Sequence, residues 1–92
     1  MPETAAPTRE YLGRYMVVEL APAQPESGKT QRWLIRNRAS GAALGVVEWH
    51  GSWRQYVYCP HAYADIVLAA SCLDDISGFV KRVNVEHKRG RD

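Results

Sequence analysis

Apolar side chains along this chain first alternate with polar ones and only later fall at helical spacing, and that change of period is the main guide to the fold. In "RYMVVEL" (14–20) Met16, Val18 and Leu20 share one face of an extended segment. "TQRWLIRN" (30–37) repeats the pattern, with Trp33 and Ile35 on one side and Arg32, Leu34 and Arg36 on the other. "ALGVVEW" (43–49) sets Leu44 and Val46 against Val47 and Trp49. "WRQYVYC" (53–59) sets Arg54, Tyr56 and Tyr58 against Trp53, Gln55, Val57 and Cys59. Turn formers separate these runs: Asn37, Ser40 and Gly41 after the second, and His50-Gly51-Ser52 after the third. Pro60 stops the fourth, because proline has no N–H to give a ladder. The stretch "APAQPESGK" (21–29) reads as a long, mobile loop.

Short connections between alternating runs predict an antiparallel meander. "YADIVLAA" (63–70) fits either a short edge strand over 66–68 or a helix. The period then changes: Leu73, Ile76, Phe79, Val80 and Val83 predict an amphipathic helix of about three turns. Ser71 is the expected N-cap, with Asp74 three residues on. Asp74 and Asp75 in the first turn and Lys81 and Arg82 in the last would complement the helix dipole. Gly78 weakens such a helix by roughly 1 kcal/mol relative to Ala, and a close approach to the sheet is the expected reason for it. The expected fold is therefore α+β: a mostly antiparallel sheet of four or five strands with one C-terminal helix across one face. Residues 1–10 are expected to form a flexible tail, 11–84 a single domain, and 85–92 a loose basic tail.

Composition refines this picture only slightly. With 46% hydrophobic and 24% charged residues the chain is a globular domain, not a disordered one. At 92 residues its core is modest, and dimerisation would add to its stability. A net charge of +2 argues against an acidic mimic of DNA, and is too small to establish nucleic-acid binding by itself. No signal-peptide pattern opens the chain, and no run reaches the ~20 apolar residues of a membrane span. A cytoplasmic protein with Cys59 and Cys72 as free thiols is expected, although a disulfide between them is geometrically conceivable.

Three patterns invite chemistry. "ESGKT" (26–30) resembles the end of a phosphate-binding P-loop, but Ala23 stands where the first glycine belongs and a strand follows instead of a helix. Cys59, His61 and Cys72 offer one close pair of zinc ligands, where zinc sites use two. Glu48, His50, His61 and Asp65 cluster loosely near strand ends, without a nucleophile–base–orienter arrangement. No catalytic residue, metal, cofactor or small-molecule substrate is expected.

The aromatics are more informative. Both faces of the expected sheet carry large apolar groups, and one helix covers only one face. The expected function is a non-catalytic binding module using Arg32, Arg36, Arg38, Trp49, Trp53, Arg54, Tyr56 and Tyr58. Tyr56 and Tyr58 are expected to be exposed, because Arg54 shares their face. A protein partner or a second copy of the chain is favoured. Single-stranded or structured nucleic acid is the alternative, through stacking on aromatics and Arg–phosphate contacts. A small enzyme or metal site around Glu48, His50 and His61 is the second alternative. Against all of these stands the plainer reading that the rings close the core and the arginines keep an edge soluble.

Ser40-Gly41, Leu44-Gly45, Glu48-Trp49, Trp53 to Tyr56, Pro60 and the "CLDDISGF" run (72–79) together carry a resemblance. The segment 33–83 resembles small uncharacterised proteins of bacteriophages and mobile elements. That resemblance implies a phage-related setting, in which small proteins often bind host or phage macromolecules. It implies no activity and no catalytic residue.

Overall fold

The computed structural model describes residues 9–61 and 69–91. Five strands, β1 (Arg9–Leu12), β2 (Met16–Leu20), β3 (Trp33–Asn37), β4 (Ala43–His50) and β5 (Gln55–Pro60), pair antiparallel in sequence order. One helix, α1 (Ala70–Arg91), follows. The α+β meander expected from the alternation is the fold of the chain.

The alternation also places the core. Leu12 pairs with Met16, Val18 with Ile35, Trp33 with Val47 and Trp49 with Tyr56, which aligns one face across all five strands. From that face Leu12, Met16, Val18, Ile35, Val47 and Tyr56 are buried against Cys72, Ile76, Phe79 and Val83 of α1. Each such side chain taken fully from water contributes about 1.5–3 kcal/mol. The Glu10–Arg82 ion pair (3.0 Å) also ties β1 to α1, but both partners are partly solvated. Pairs of that kind are worth about 0–1 kcal/mol, so the apolar seam holds the helix on the sheet.

Several expectations are corrected. The fifth strand is β1, at the N-terminal edge; the candidate strand at 66–68 lies outside the described residues. Arg9 and Glu10 belong to that strand, so the expected tail does not extend to residue 10. Trp53 and Arg54 lie in the β4–β5 turn, not in a strand. The helix begins at Ala70, and the Ala69 carbonyl accepts the first intrahelical bonds, from Cys72 and Leu73 N–H. Ser71 is thus inside the helix, and the first turn holds no acidic residue. Cys72, not Leu73, starts the buried stripe; Leu73 is exposed. Gly78 faces solvent, with open space where a Cβ would sit, so close approach to the sheet does not explain it.

The segment 85–91, expected as a loose tail, continues the helix. Its anchors are polar. Asn84 accepts a hydrogen bond from Tyr56 N–H (2.7 Å) and donates to Tyr56 C=O (3.3 Å), so it satisfies the outward edge of β5 as another strand would. One turn on, the His87 ring lies 4.6 Å from Trp49 and 5.7 Å from Tyr56. The basic residues Lys88 and Arg89 consequently sit near the helix C-terminus, where cations are favoured.

The loop 21–32 is better organised than its composition implies. Gln24 donates to the carbonyls of Ala21 (2.7 Å) and Arg32 (2.8 Å) and accepts from Arg32 N–H (3.0 Å), which staples the loop's ends together.

Candidate aromatic and basic binding cleft

Five rings, three from the sheet and two from α1, form a continuous file between them. Phe79 meets Trp33 edge-on at 5.4 Å, Trp33 meets Tyr56 at 5.3 Å, Tyr56 meets Trp49 at 5.3 Å, and Trp49 meets His87. Tyr56 is the hub and is only 4% exposed. Its hydroxyl accepts a hydrogen bond from Gln31 N–H (3.2 Å). The expectation that Tyr56 is exposed is therefore corrected: its face of β5 is the one the helix covers. Arg54 does not mark that face as solvent-facing, because the turn carries Arg54 out of the strand.

Tyr58 is half-buried on the same face. A Cβ at Gly45 would sit 2.7 Å from the Tyr58 hydroxyl, so this phenol occupies the room that the missing side chain leaves. The hydroxyl is buried without a hydrogen-bond partner among the described residues. Burial, and secondarily the neighbouring Cys59, push its pKa above the ordinary 10.0. Burial likewise raises the Cys59 thiol above its ordinary 9.0, helped by the Glu48 carboxylate, to which Sγ donates at 3.6 Å. Both groups hold their protons more tightly folded than unfolded. Their contribution to stability is complete below about pH 9 and is lost as pH rises through the raised values. The melting temperature is expected to fall progressively above pH 9, and Cys59→Ala to flatten the early part of that fall. Identical alkaline profiles for the two proteins in a calorimeter would rule this out.

The predicted arginines separate into two groups. Arg32 pairs with Glu48 (3.0 Å) and donates to Ala23 C=O (3.0 Å). Arg36 pairs with Glu19 (3.1 Å) and donates to Gly41 C=O (2.9 Å). Both are neutralised and engaged in the fold. Arg38 lies 4.0 Å over the Tyr11 ring and donates to Arg14 C=O (3.3 Å), at the opposite end of the sheet from the β4–β5 turn. Neither Arg38 nor Arg54 forms an ion pair with a described residue, and of the two only Arg54 stands at the β4–β5 turn.

Arg54 is in a left-handed backbone conformation (φ 55°), alone among the described non-glycine residues. That conformation costs an L-residue roughly 1–2 kcal/mol. It is held by Arg54 N–H donating to His50 C=O (2.8 Å), while Trp53 N–H donates to His50 Nδ1 (3.3 Å). The His50 and Trp53 rings stack at 4.3 Å and 21°, and the indole remains 64% exposed.

This turn faces the C-terminal half of α1 across an open cleft of about 360 Å³. Trp49, Trp53, Arg54 and Gln55 line it from the hairpin, and Asn84, His87 and Lys88 from the helix. The structure thus brings Trp49, Trp53 and Arg54 together and leaves Arg32, Arg36, Arg38, Tyr56 and Tyr58 outside. Sequence reasoning missed Asn84, His87 and Lys88. They fall four, seven and eight residues after Val80, on one face of the helix, and counting only apolar residues hides them. Neither Glu48, His50 nor His61 lines this cleft. Among the described residues, no three His, Cys, Asp or Glu side chains are placed to share a metal ion. No described helix is long and apolar enough to cross a membrane.

No protein-family model matches the sequence, and no solved structure is matched. The chain is similar to an uncharacterised 9.3 kDa protein of Acholeplasma phage L2, with 30% identity over 61 residues, covering 66% of this chain and 76% of the phage protein.

Proposed function

The chain belongs to the family of that 9.3 kDa phage protein, and from this premise we propose that it is a non-catalytic module that binds single-stranded nucleic acid in the hairpin–helix cleft. The observation that carries the reading is the turn at 53–54. An exposed indole already stacked on one side by His50 presents its other face beside an Arg held at a strained backbone angle. Exposed bases stack on such a platform, and a guanidinium with Lys88 opposite suits the phosphodiester. Backbone strain that persists tends to mark positions where a side chain must be aimed. Arg32 and Arg36 are less suited to phosphate, since each already has its carboxylate.

The test is fluorescence anisotropy with a labelled oligothymidylate over a series of salt concentrations. Binding is expected to weaken steeply as salt rises. Trp53→Ala is expected to remove about 1–3 kcal/mol of affinity, the usual worth of one stacked base. Its melting temperature should hardly move, because the indole is largely in water. Duplex DNA, whose bases are hidden, should bind more weakly. Absence of binding at low salt, or equal binding by wild type and Trp53→Ala, would sink the reading.

One further observation favours the protein-partner reading. On the sheet face away from α1, Leu34, Val46 and Cys59 stand in register across three strands, with Val57 beside them. Among the described residues no helix or strand covers them. Concentration-dependent self-association in sedimentation, without nucleic-acid binding, would move the function to that face.

A further inference from the structure

Resting on the nucleic-acid reading, we infer that the site has a second subsite, which prefers a cytosine-type base edge to a thymine-type one. A second cleft, of about 280 Å³, adjoins the first and shares His87 with it. Its floor is aromatic, from Trp33 and Tyr56, and its walls carry Lys29 on the stapled loop and Glu86 on the helix. His87 is therefore the partition between two aromatic-floored compartments. A phosphodiester chain crossing it places successive bases in successive compartments.

The charges differ in a way that assigns roles. The first compartment has Arg54 and Lys88 and no carboxylate among its lining residues. The second has one cation and one anion, Lys29 and Glu86. A phosphate is drawn to Lys29 and repelled by Glu86, so the backbone runs along the loop side and the base turns its edge to the helix. A carboxylate only accepts hydrogen bonds. It receives the amino group of cytosine, and it repels the carbonyl that thymine carries at the same position. Glycine at position 28, left-handed at φ 70°, lets the loop turn tightly beside Lys29 and leaves open space there.

The experiment compares labelled octadeoxycytidylate with octathymidylate, titrated with wild type, Lys29→Ala, Glu86→Gln and Trp53→Ala. All three positions are exposed, and circular dichroism is the check that each variant folds. Wild type is expected to bind the cytidylate about threefold or more tighter. Glu86→Gln should remove that preference, because an amide donates as well as accepts. Lys29→Ala should weaken both oligomers about three- to tenfold at low salt and flatten the salt dependence by about one phosphate contact. Equal binding of the two oligomers by wild type, or no response to either substitution while Trp53→Ala still weakens binding, overturns the second subsite and leaves the first standing. If wild type binds neither oligomer, the nucleic-acid reading falls and takes the subsite with it.

Discussion

Tyr56→Ala is expected to cost about 3–5 kcal/mol, the usual penalty for removing a large buried ring. The cost falls at the upper end because four contacts fail together. Trp33, Trp49 and His87 all lose their ring partner. Gln31 N–H loses its acceptor, and with it a tie between the 21–32 loop and β5. A domain of this length has a total stability of only about 5–14 kcal/mol. The variant should therefore melt about 15 °C or more below wild type. Tyr56→Phe keeps the rings and loses only the hydroxyl, so about 1 kcal/mol is expected. Chemical denaturation of the three proteins measures both values. A Tyr56→Ala variant within 1 kcal/mol of wild type would mean that the file of rings does not organise the core.

Gly45→Ala is the second large effect. The added methyl would sit 2.6 Å from Cys59 C=O and 2.8 Å from Pro60 Cα, and both atoms belong to the backbone of the paired strand β5. Backbone cannot rotate aside as a side chain can, so β4 and β5 must separate locally. Overpacking of this kind costs about 1–3 kcal/mol. The third close atom, the Tyr58 hydroxyl at 2.7 Å, is removable. Tyr58→Phe should recover part of the loss, and the two substitutions together should cost less than their sum. It also removes a buried hydroxyl that lacks a partner. Gly51→Ala, where nothing lies within 4 Å, is the control. If the Gly45 and Gly51 variants have the same denaturation midpoint, the close approach of the strands is not real.

Much of this architecture is legible in the sequence for a simple reason. Met16 and Val18, Trp33 and Ile35, and Val47 and Trp49 each lie two apart, and side chains two apart in a strand must share a face. Ile76, Phe79 and Val83 are tied to one helical stripe by the same kind of constraint. Asn37, whose side chain accepts from Ala39 (2.9 Å) and Ser40 (3.0 Å) N–H, and Gly41 at φ 78° act locally, so the β3–β4 turn was visible as well. Where partners are remote the reading failed. Nothing near Gln24 shows that it will bridge Ala21 and Arg32, and nothing near Asn84 shows that it will cap a strand edge 28 residues earlier.

The candidate site divides in the same way. The sequence by itself determined that Trp49 and Trp53 flank one turn, although it assigned Trp53 and Arg54 to opposite faces of the strand that follows, and that the rings of β4 and β5 fall on definite sides of their strands. Only the tertiary structure decided which side meets water, because alternation orders the two faces without labelling them. Burial is set by where the helix lands, and the helix landed on the tyrosines. It also decided which arginines remain available, since Glu19 and Glu48 reach Arg36 and Arg32 only through strand pairing. Last, it brought His87 and Lys88 to Trp53 across more than thirty residues of chain, a proximity created by packing and carried by no local pattern.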